Sequence, residues 1–103
     1  MSRLTKLEVI VSPARLRQIQ ALLARVGVEG MTISEARGSG RSSVGRLVPR
    51  LKIEIVLENG RVPSLLDEIL HLTPTPTGDG TIFLLGVDEA IRIRTRERGF
   101  EAV

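Results

Sequence analysis

Glycine and arginine are concentrated in three segments of this sequence, and these residue types together are suited to holding an anion. The segment from Gly38 to Arg50 contains three glycines and three arginines, and the other two segments are Gly78-Asp79-Gly80 and Arg92-Ile93-Arg94. Glycine lets backbone N–H groups approach an oxyanion closely. Arginine presents a planar set of donors that matches phosphate or carboxylate. The pattern therefore predicts a ligand that carries phosphate.

The composition limits the fold and the kinds of site that the chain can build. The chain has 103 residues, of which 42% are hydrophobic and 2% aromatic, so we expect one domain with a small aliphatic core. A small core favours an oligomer, because association buries further apolar surface. The chain has no cysteine and one histidine, His71. We therefore expect neither a disulfide framework nor a zinc site made by one chain.

The charge balance favours anionic partners. The chain carries 13 arginines and 2 lysines and has a formal net charge of +3. This charge suits nucleotides, nucleic acid or lipid headgroups equally. The first residues lack the long apolar stretch of a secretory signal, and no segment has the length and apolar character of a membrane span. We expect a cytoplasmic protein.

The hydrophobic pattern predicts two helices separated by pairs of strands. Strands are expected at 4–11, 30–36, 51–57 and 81–85, with a short fifth strand at 90–95 and a long polar loop at 37–49. One helix should begin near Pro13 and end at Gly27, and the other should begin near Pro63 and end at Thr73. The residues predicted to form their buried faces are Leu16, Ile19, Leu22, Leu23 and Val26 in the first helix and Leu65, Leu66, Ile69 and Leu70 in the second. The order βαββαβ favours an α+β, ferredoxin-like antiparallel sheet with both helices on one face.

Four sequence motifs resemble those of the PII signal-transduction proteins, the nitrogen regulatory protein P-II family. The motifs cover residues 27–41, 49–56, 77–83 and 90–95, and they occur in the family's order over most of the chain. The resemblance implies a homotrimer of ferredoxin-like subunits that binds adenine nucleotides in clefts between neighbours and regulates a partner through a mobile loop. It implies one PII-like domain over residues 1–103. The domain would contain a shortened T-loop at 38–50, a phosphate-binding B-loop at 73–80 and a C-terminal segment at 90–103.

The resemblance also implies roles for individual residues. Ile10, Thr32 and Val56 would line an adenosine pocket, while the glycines of the B-loop would wrap the phosphates. Two arginines that alternate on the expected fifth strand would project to the same side, as two phosphate-binding guanidinium groups require. The full set expected to bind the nucleotide is Ile10, Thr32, Gly38, Gly40, Arg41, Val56, Gly78, Asp79, Gly80, Thr81, Phe83, Arg92 and Arg94.

The sequence departs from the family at positions that select the ligand. It contains no tyrosine, which excludes uridylylation of the loop. Ser42 and Arg50 stand where the family has a glutamine and a lysine that hold magnesium and 2-oxoglutarate, so we do not expect the usual 2-oxoglutarate sensing. Thr81 replaces a lysine near the terminal phosphates, which favours ADP or AMP over ATP. Shortened-loop relatives of the carboxysome-associated, carbon-metabolism type make bicarbonate a candidate anion for Arg41, Ser42 and Arg50.

Other functional classes remain open. One alternative is a conventional PII nitrogen regulator that senses ATP and 2-oxoglutarate. Another is a basic nucleic-acid-binding module, although the predicted strands offer only Phe83 for stacking on bases. The sequence contains no recognisable nucleophile, acid–base pair or metal-ligand cluster, so we expect neither an enzyme nor a catalytic cofactor. The regulated protein, a transporter or an enzyme, is not identified by the sequence.

Overall fold

The computed structural model describes residues 3–41, 43–72 and 80–103, and its elements follow the order βαββαβ. The strands are β1 (Leu4–Val11), β2 (Thr32–Gly38), β3 (Val48–Glu58) and β4 (Thr81–Val87). The helices are α1 (Leu16–Arg25) and α2 (Val62–Leu70), and they follow the 3₁₀ turns Pro13–Arg15 and Asn59–Arg61. A third 3₁₀ turn covers Gly99–Ala102. The predicted α+β class is confirmed.

The strands form one antiparallel sheet in the order β2-β3-β1-β4. The long strand β3 pairs with β1 on one side and with β2 on the other, and β4 pairs with the free side of β1. Each helix connects two strands that are separated by one other strand in the sheet. This is the ferredoxin-like arrangement that the element order predicted.

One face of the sheet carries the hydrophobic core. Side chains alternate between the two faces along a strand, so every second residue of β1 and β3 points to this face. Both helices pack against it, and an ion pair between Arg25 and Glu68, with 2.6 Å between nitrogen and oxygen, joins them at the surface. The buried core residues are Leu7, Val9, Val11, Ile19, Leu22, Leu23, Leu51, Ile53, Ile55, Leu57, Val62, Leu65 and Ile69. The opposite face of the sheet, which we call the open face, is left without a covering layer by the described residues.

The prediction of a fifth strand at 90–95 is wrong. Within residues 80–103, all of which are described, Ile91 forms only an isolated antiparallel bridge with Arg98. The N–H of Arg92 donates to the carbonyl of Glu97 at 2.9 Å, and the N–H of Arg96 donates to the carbonyl of Arg92 at 2.8 Å. These bonds turn the chain back on itself, and Arg96 adopts a positive φ of 64°. The argument that two arginines alternate along a strand therefore does not apply.

Several strand boundaries and one core residue also differ from the prediction. Gly38 pairs with Val48, so β2 and β3 extend towards each other and the connection between them shortens from the predicted 37–49 to 39–47. Leu70 is 70% exposed rather than buried. The buried stripe of α2 instead begins at Val62, and Leu70 is rotated by about 100° from the last buried residue, Ile69.

Candidate functional site

Most of the described residues that were predicted to bind a nucleotide lie at opposite ends of the sheet. At one end, which we call the loop end, β2 finishes at Gly38, β3 begins at Val48 and β4 begins at Thr81. At the other end, which we call the cavity end, β2 begins at Thr32 and β3 approaches its last residue, Glu58. The six residue steps along β2 between the two ends span about 20 Å.

At the loop end, Gly80 brings the chain close to β1. Its φ is +102°, and a Cβ atom at this position would lie 3.1 Å from the carbonyl oxygen of Ile10 and 3.1 Å from Cγ1 of Val11. Glycine is the residue that accepts both this conformation and this approach. Thr81 follows directly and is the cross-strand partner of Ile10. Three residues of the predicted set, Ile10, Gly80 and Thr81, are thus neighbours, whereas Gly78 and Asp79 lie outside the described residues.

The connection between β2 and β3 is built from two successive turns. The N–H of Ser43 donates to the carbonyl of Gly40 at 3.0 Å, and the N–H of Arg46 donates to the carbonyl of Ser43 at 3.0 Å. Ser43 is buried, and its hydroxyl accepts the N–H of Gly40 at 3.3 Å. Val44, in contrast, is 81% exposed, and Leu47 is also exposed. The turns therefore order the described backbone of the loop while presenting two apolar side chains to solvent.

The loop end is also basic. Arg37 and Arg50 line a surface depression of about 540 Å³ together with Pro13 and Glu35. The Arg50 guanidinium donates to the carbonyl of Pro49 at 3.2 Å. Within the residues that the structure describes, neither of these arginines nor Arg41 forms an ion pair. Of the residues predicted to hold a small anion, Arg41 and Arg50 share this end, and Ser42 lies outside the described residues.

A cavity of about 550 Å³ opens at the cavity end of the sheet. Thr32 and Val56, two residues of the predicted adenosine pocket, line it. Apolar lining comes from Val28 and Met31, and polar lining comes from charged side chains such as Glu54. Such a combination of apolar walls and a few polar groups is typical of a small-molecule site.

Four charged side chains of the sheet form an ion network on the open face, next to this cavity. Lys6 Nζ lies 3.2 Å from carboxylate oxygens of both Glu8 and Glu54, and Lys52 Nζ lies 3.7 and 3.6 Å from the same two carboxylates. The hydrogen bond to Glu8, reinforced by Glu54, raises the pKa of Lys6. The hydrogen bond from Lys6 lowers the pKa of Glu54. Both groups are therefore charged at neutral pH, and positive and negative side chains alternate on the open face.

Ile10 lies apart from Thr32 and Val56, the two residues that were predicted to form an adenosine pocket with it. Ile10 pairs with Lys52, while Val56 pairs with Lys6, four residues earlier on β1. Ile10 accordingly does not line the cavity that contains Thr32 and Val56. Phe83 lies between these positions on β4, exposed and opposite Glu8.

β4 finishes at Val87, at the cavity end of the sheet, and Arg92 and Arg94 come after it in the chain. Arg92 Nε is 4.0 Å from a carboxylate oxygen of Glu97, and Ile93 between the two arginines is 95% exposed. About 20 Å of β4 separates this turn from Gly80, because seven residues of strand lie between them. One chain therefore does not bring the two arginines to the predicted phosphate-binding glycine.

Several residues that line the cavity were not singled out by the sequence analysis. They include Lys6, Glu54, Arg61 and Phe100. The alternation of charged and apolar residues in β1 and β3 indicates an exposed face but does not indicate which charges pair. Phe100 is one of only two aromatic residues, and this rarity is the signal that could have drawn attention to it.

Two kinds of feature were not found in the part of the chain that the structure describes. No helix there has both the length and the apolar character needed to cross a membrane. In the same residues, no group of three or more histidine, cysteine, aspartate or glutamate side chains is placed to hold a metal ion.

Comparison with known proteins gives the family. The family model described as nitrogen regulatory protein P-II matches residues 4–97. The nitrogen regulatory protein P-II of Rhodospirillum rubrum is 36% identical over 110 residues, which cover 95% of this chain and 98% of that protein, and the protein of Synechocystis sp. matches with the same values. A crystal structure of Arabidopsis thaliana PII bound to citrate is 39% identical, with a TM-score of 0.86 over 99% of this chain and 94% of that chain. The chain therefore belongs to the nitrogen regulatory protein P-II family of signalling regulators.

Proposed function

We propose that this protein binds adenine nucleotides between neighbouring subunits of a homotrimer and that the bound nucleotide controls a partner protein. The observation that carries the proposal is the distance between the two parts of the predicted site. Gly80 lies at the loop end, and Arg94 follows the cavity end, about 20 Å away along β4. An arginine side chain does not cross that distance. The loop end of one subunit, placed against the cavity end of the next, would complete one site.

The outer strand β4 supports an oligomer. Phe83, Leu84 and Leu85 of this strand are exposed, and because side chains alternate they place apolar surface on both faces of the sheet. An exposed apolar strand at the edge of a sheet is a surface that proteins normally cover. Membership of the P-II family supports the homotrimer in particular.

Within this site, ADP or AMP is the proposed ligand in preference to ATP. Thr81 lies beside Gly80 and supplies a hydroxyl group where the family has a positively charged lysine. A third phosphate would add negative charge without this cation to balance it. Arg92 and Arg94 of the neighbouring subunit would bind the first two phosphates, and each charge-assisted hydrogen bond contributes about 1.5–3 kcal/mol.

The second proposed ligand is bicarbonate, held by Arg41, Ser42 and Arg50. The support is chemical: Arg37, Arg41 and Arg50 form no ion pair with any described residue, and Arg50 lines a depression of about 540 Å³. The relative from Arabidopsis thaliana carries citrate, which is also an anion. The conventional alternative, a sensor of ATP and 2-oxoglutarate, would use the same positions.

A nucleic-acid-binding module is supported less well by the open face of the sheet. Lys6 and Lys52 alternate there with Glu8 and Glu54 and are neutralised by them. A protein that binds nucleic acid on this face would need a continuous basic surface.

The proposed signal passes through the T-loop at residues 38–50. Gly38, Gly40 and Arg41 form its base, so a nucleotide bound there would change the position of the turns that follow. Those turns expose Val44 and Leu47, which would contact a cytoplasmic transporter or enzyme. Each subunit would be a single domain, residues 1–103. It would contribute the proposed B-loop at 73–80 to one nucleotide site and the C-terminal segment at 90–103 to the site shared with its other neighbour.

Calorimetric titration tests the proposal. ATP, ADP and AMP are each titrated into the purified protein, alone, with bicarbonate, and with magnesium and 2-oxoglutarate. We expect ADP or AMP to bind more tightly than ATP, and bicarbonate to strengthen the binding. Tight ATP binding that requires magnesium and 2-oxoglutarate would support the conventional regulator instead. Salt-sensitive binding of RNA without nucleotide binding would support the nucleic-acid module.

A matched pair of arginine variants locates the site. Arg94→Ala should weaken ADP binding about 10- to 150-fold, which corresponds to the loss of one charge-assisted hydrogen bond. Arg17→Ala, which removes an exposed arginine on α1, should leave the affinity unchanged. Equal affinities of the two variants would exclude Arg94 from the site.

A further inference from the structure

Phe100 lies at the cavity that contains Thr32 and Val56, although it is distant from both in the sequence. It belongs to the 3₁₀ turn Gly99–Ala102, and it lines the cavity of about 550 Å³ together with Val103. The turn is fixed at its start because the N–H of Gly99 donates to the carbonyl of Ala90 at 3.0 Å. The main chain that carries Phe100 is therefore hydrogen-bonded to the segment that follows β4.

The ring of Phe100 has a surface available for a ligand. The residue is 56% exposed and is not a member of the hydrophobic core. It is one of two aromatic residues in the chain, and the other, Phe83, does not line this cavity. The flat apolar ring of a residue that is more than half exposed, at the wall of a cavity, is suited to stack on another flat ring.

The rest of the cavity offers two further kinds of contact to a flat heterocyclic ligand: apolar side chains for its second face and hydrogen-bonding groups for its edge. Val28, Met31 and Val56 supply apolar contacts, while Thr32 and Glu54 supply hydrogen-bonding groups. Glu54 is ionised at neutral pH, and an ionised carboxylate accepts hydrogen bonds, so this side chain could accept one from a ligand as it does from Lys6. The cavity thus combines apolar surfaces with polar groups, as a nucleobase site does.

We propose that Phe100 stacks on the nucleobase and supplies the part of the nucleotide affinity that depends on the base. This inference rests on the proposed function and goes beyond it, because it assigns recognition of the base to a residue of the 3₁₀ turn that no motif contains. Phe100 and Thr32 act from the same subunit and line one cavity. Stacking of a base on an aromatic side chain is lost when that side chain is truncated, and the loss weakens binding about 5- to 150-fold.

Titration of ADP into three variants provides the first test. Phe100→Ala should weaken binding about 5- to 150-fold, while Phe100→Tyr, which retains the ring, should bind ADP within about twofold of the native protein. Leu70→Ala removes an exposed apolar side chain from α2, away from the cavity, and should have no effect. Phe100 lies outside the core, so we expect all three variants to fold, which circular dichroism would verify. Native affinity in Phe100→Ala, or equal losses in Phe100→Ala and Phe100→Tyr, would overturn the assignment.

Fluorescence provides an independent readout, because the chain contains no tryptophan and no tyrosine. The variant Phe100→Trp therefore reports only on this position. Its emission should be quenched when ADP is added, since the adenine ring would stack on the indole. The control Gln20→Trp, on the exposed side of α1, should keep its emission. Unchanged emission of Phe100→Trp at ADP concentrations that saturate it in the calorimeter would overturn the inference.

The same titrations separate this inference from the proposed function. If the native protein binds neither ADP nor AMP, the proposed function is wrong and the stacking role is wrong with it. If the native protein binds ADP and Arg94→Ala weakens that binding while Phe100→Ala does not, the nucleotide site stands and only the stacking role is overturned.

Discussion

Replacing Gly80 with alanine should destabilise the protein, and the structure indicates by how much. Gly80 has a φ of +102°, and the added Cβ atom would lie 3.1 Å from both the Ile10 carbonyl oxygen and Val11 Cγ1. A residue with a side chain held in a sparsely populated conformation costs about 1–3 kcal/mol. In a domain of this size, each kcal/mol lowers the melting temperature by about 4–8 °C. We therefore expect the melting temperature of Gly80→Ala to fall by at least about 4 °C.

The assay is thermal unfolding followed by circular dichroism at one fixed protein concentration, because the stability of an oligomer depends on concentration. Gly60→Ala is the matched control, since an added Cβ atom at Gly60 meets nothing within 4 Å and its φ lies outside the positive range. That variant should be as stable as the native protein or more stable by about 0.4–1 kcal/mol. Equal melting temperatures for the two variants would refute the reasoning that Gly80 is required by its conformation and by its approach to β1.

Two further predictions concern the core and the open face. Ile53 is completely buried, so Ile53→Ala should lower the free energy of unfolding, measured in urea, by about 2–5 kcal/mol. Ile93 is 95% exposed, so Ile93→Ala should change the free energy of unfolding by less than about 0.5 kcal/mol. Similar losses in the two variants would contradict the assigned core. The ion pair with Lys6 holds the pKa of Glu54 below its ordinary value of 4.5, so its contribution to stability is present above that pH and is lost as the pH falls through the lowered pKa. The difference in melting temperature between Glu54→Gln and the native protein should therefore shrink from pH 7 to about pH 3, and a difference that stays constant over this range would contradict the network.

The fold was predictable from the sequence because the pattern of β3 and of both helices is regular. Apolar and charged residues alternate along Leu51–Leu57, so the sequence indicates both a strand and the face that it buries. The spacing of Ile19, Leu22 and Leu23 likewise indicates the buried side of α1. The βαββαβ order then leaves few sheet topologies, and the ferredoxin-like one is among them.

The boundaries and the last segment were not predictable from periodicity, because contacts distant in sequence determine them. Pairing of Gly38 with Val48 extends two strands beyond their hydrophobic pattern. At 90–95 the alternation of arginine and isoleucine is typical of a strand, but hydrogen bonds between Arg92 and Glu97 and between Arg92 and Arg96 form a turn instead. Local pattern alone does not reveal such bonds.

The arrangement of the site depends on the register of the strands, which the sequence motifs alone do not reveal. Motifs identified the glycine and arginine residues, but only the pairing of the strands places Ile10 and Gly80 at one end of the sheet and Thr32 and Val56 at the other. Phe100 belongs to no periodic pattern, and its relation to the cavity follows from the fold of the segment after β4.

Mixing two variants tests most directly the central claim that each nucleotide site is shared by two subunits. Arg41→Ala impairs the loop end, and Arg94→Ala impairs the cavity end, so neither variant alone should retain a high-affinity site for ADP. Equal amounts of the two are unfolded together, refolded and titrated with ADP. In randomly assembled trimers, about one quarter of the sites would combine an intact loop end with an intact cavity end from the neighbouring subunit. We therefore predict about one high-affinity ADP site for every four subunits, and the recovery of none would contradict a site shared between subunits.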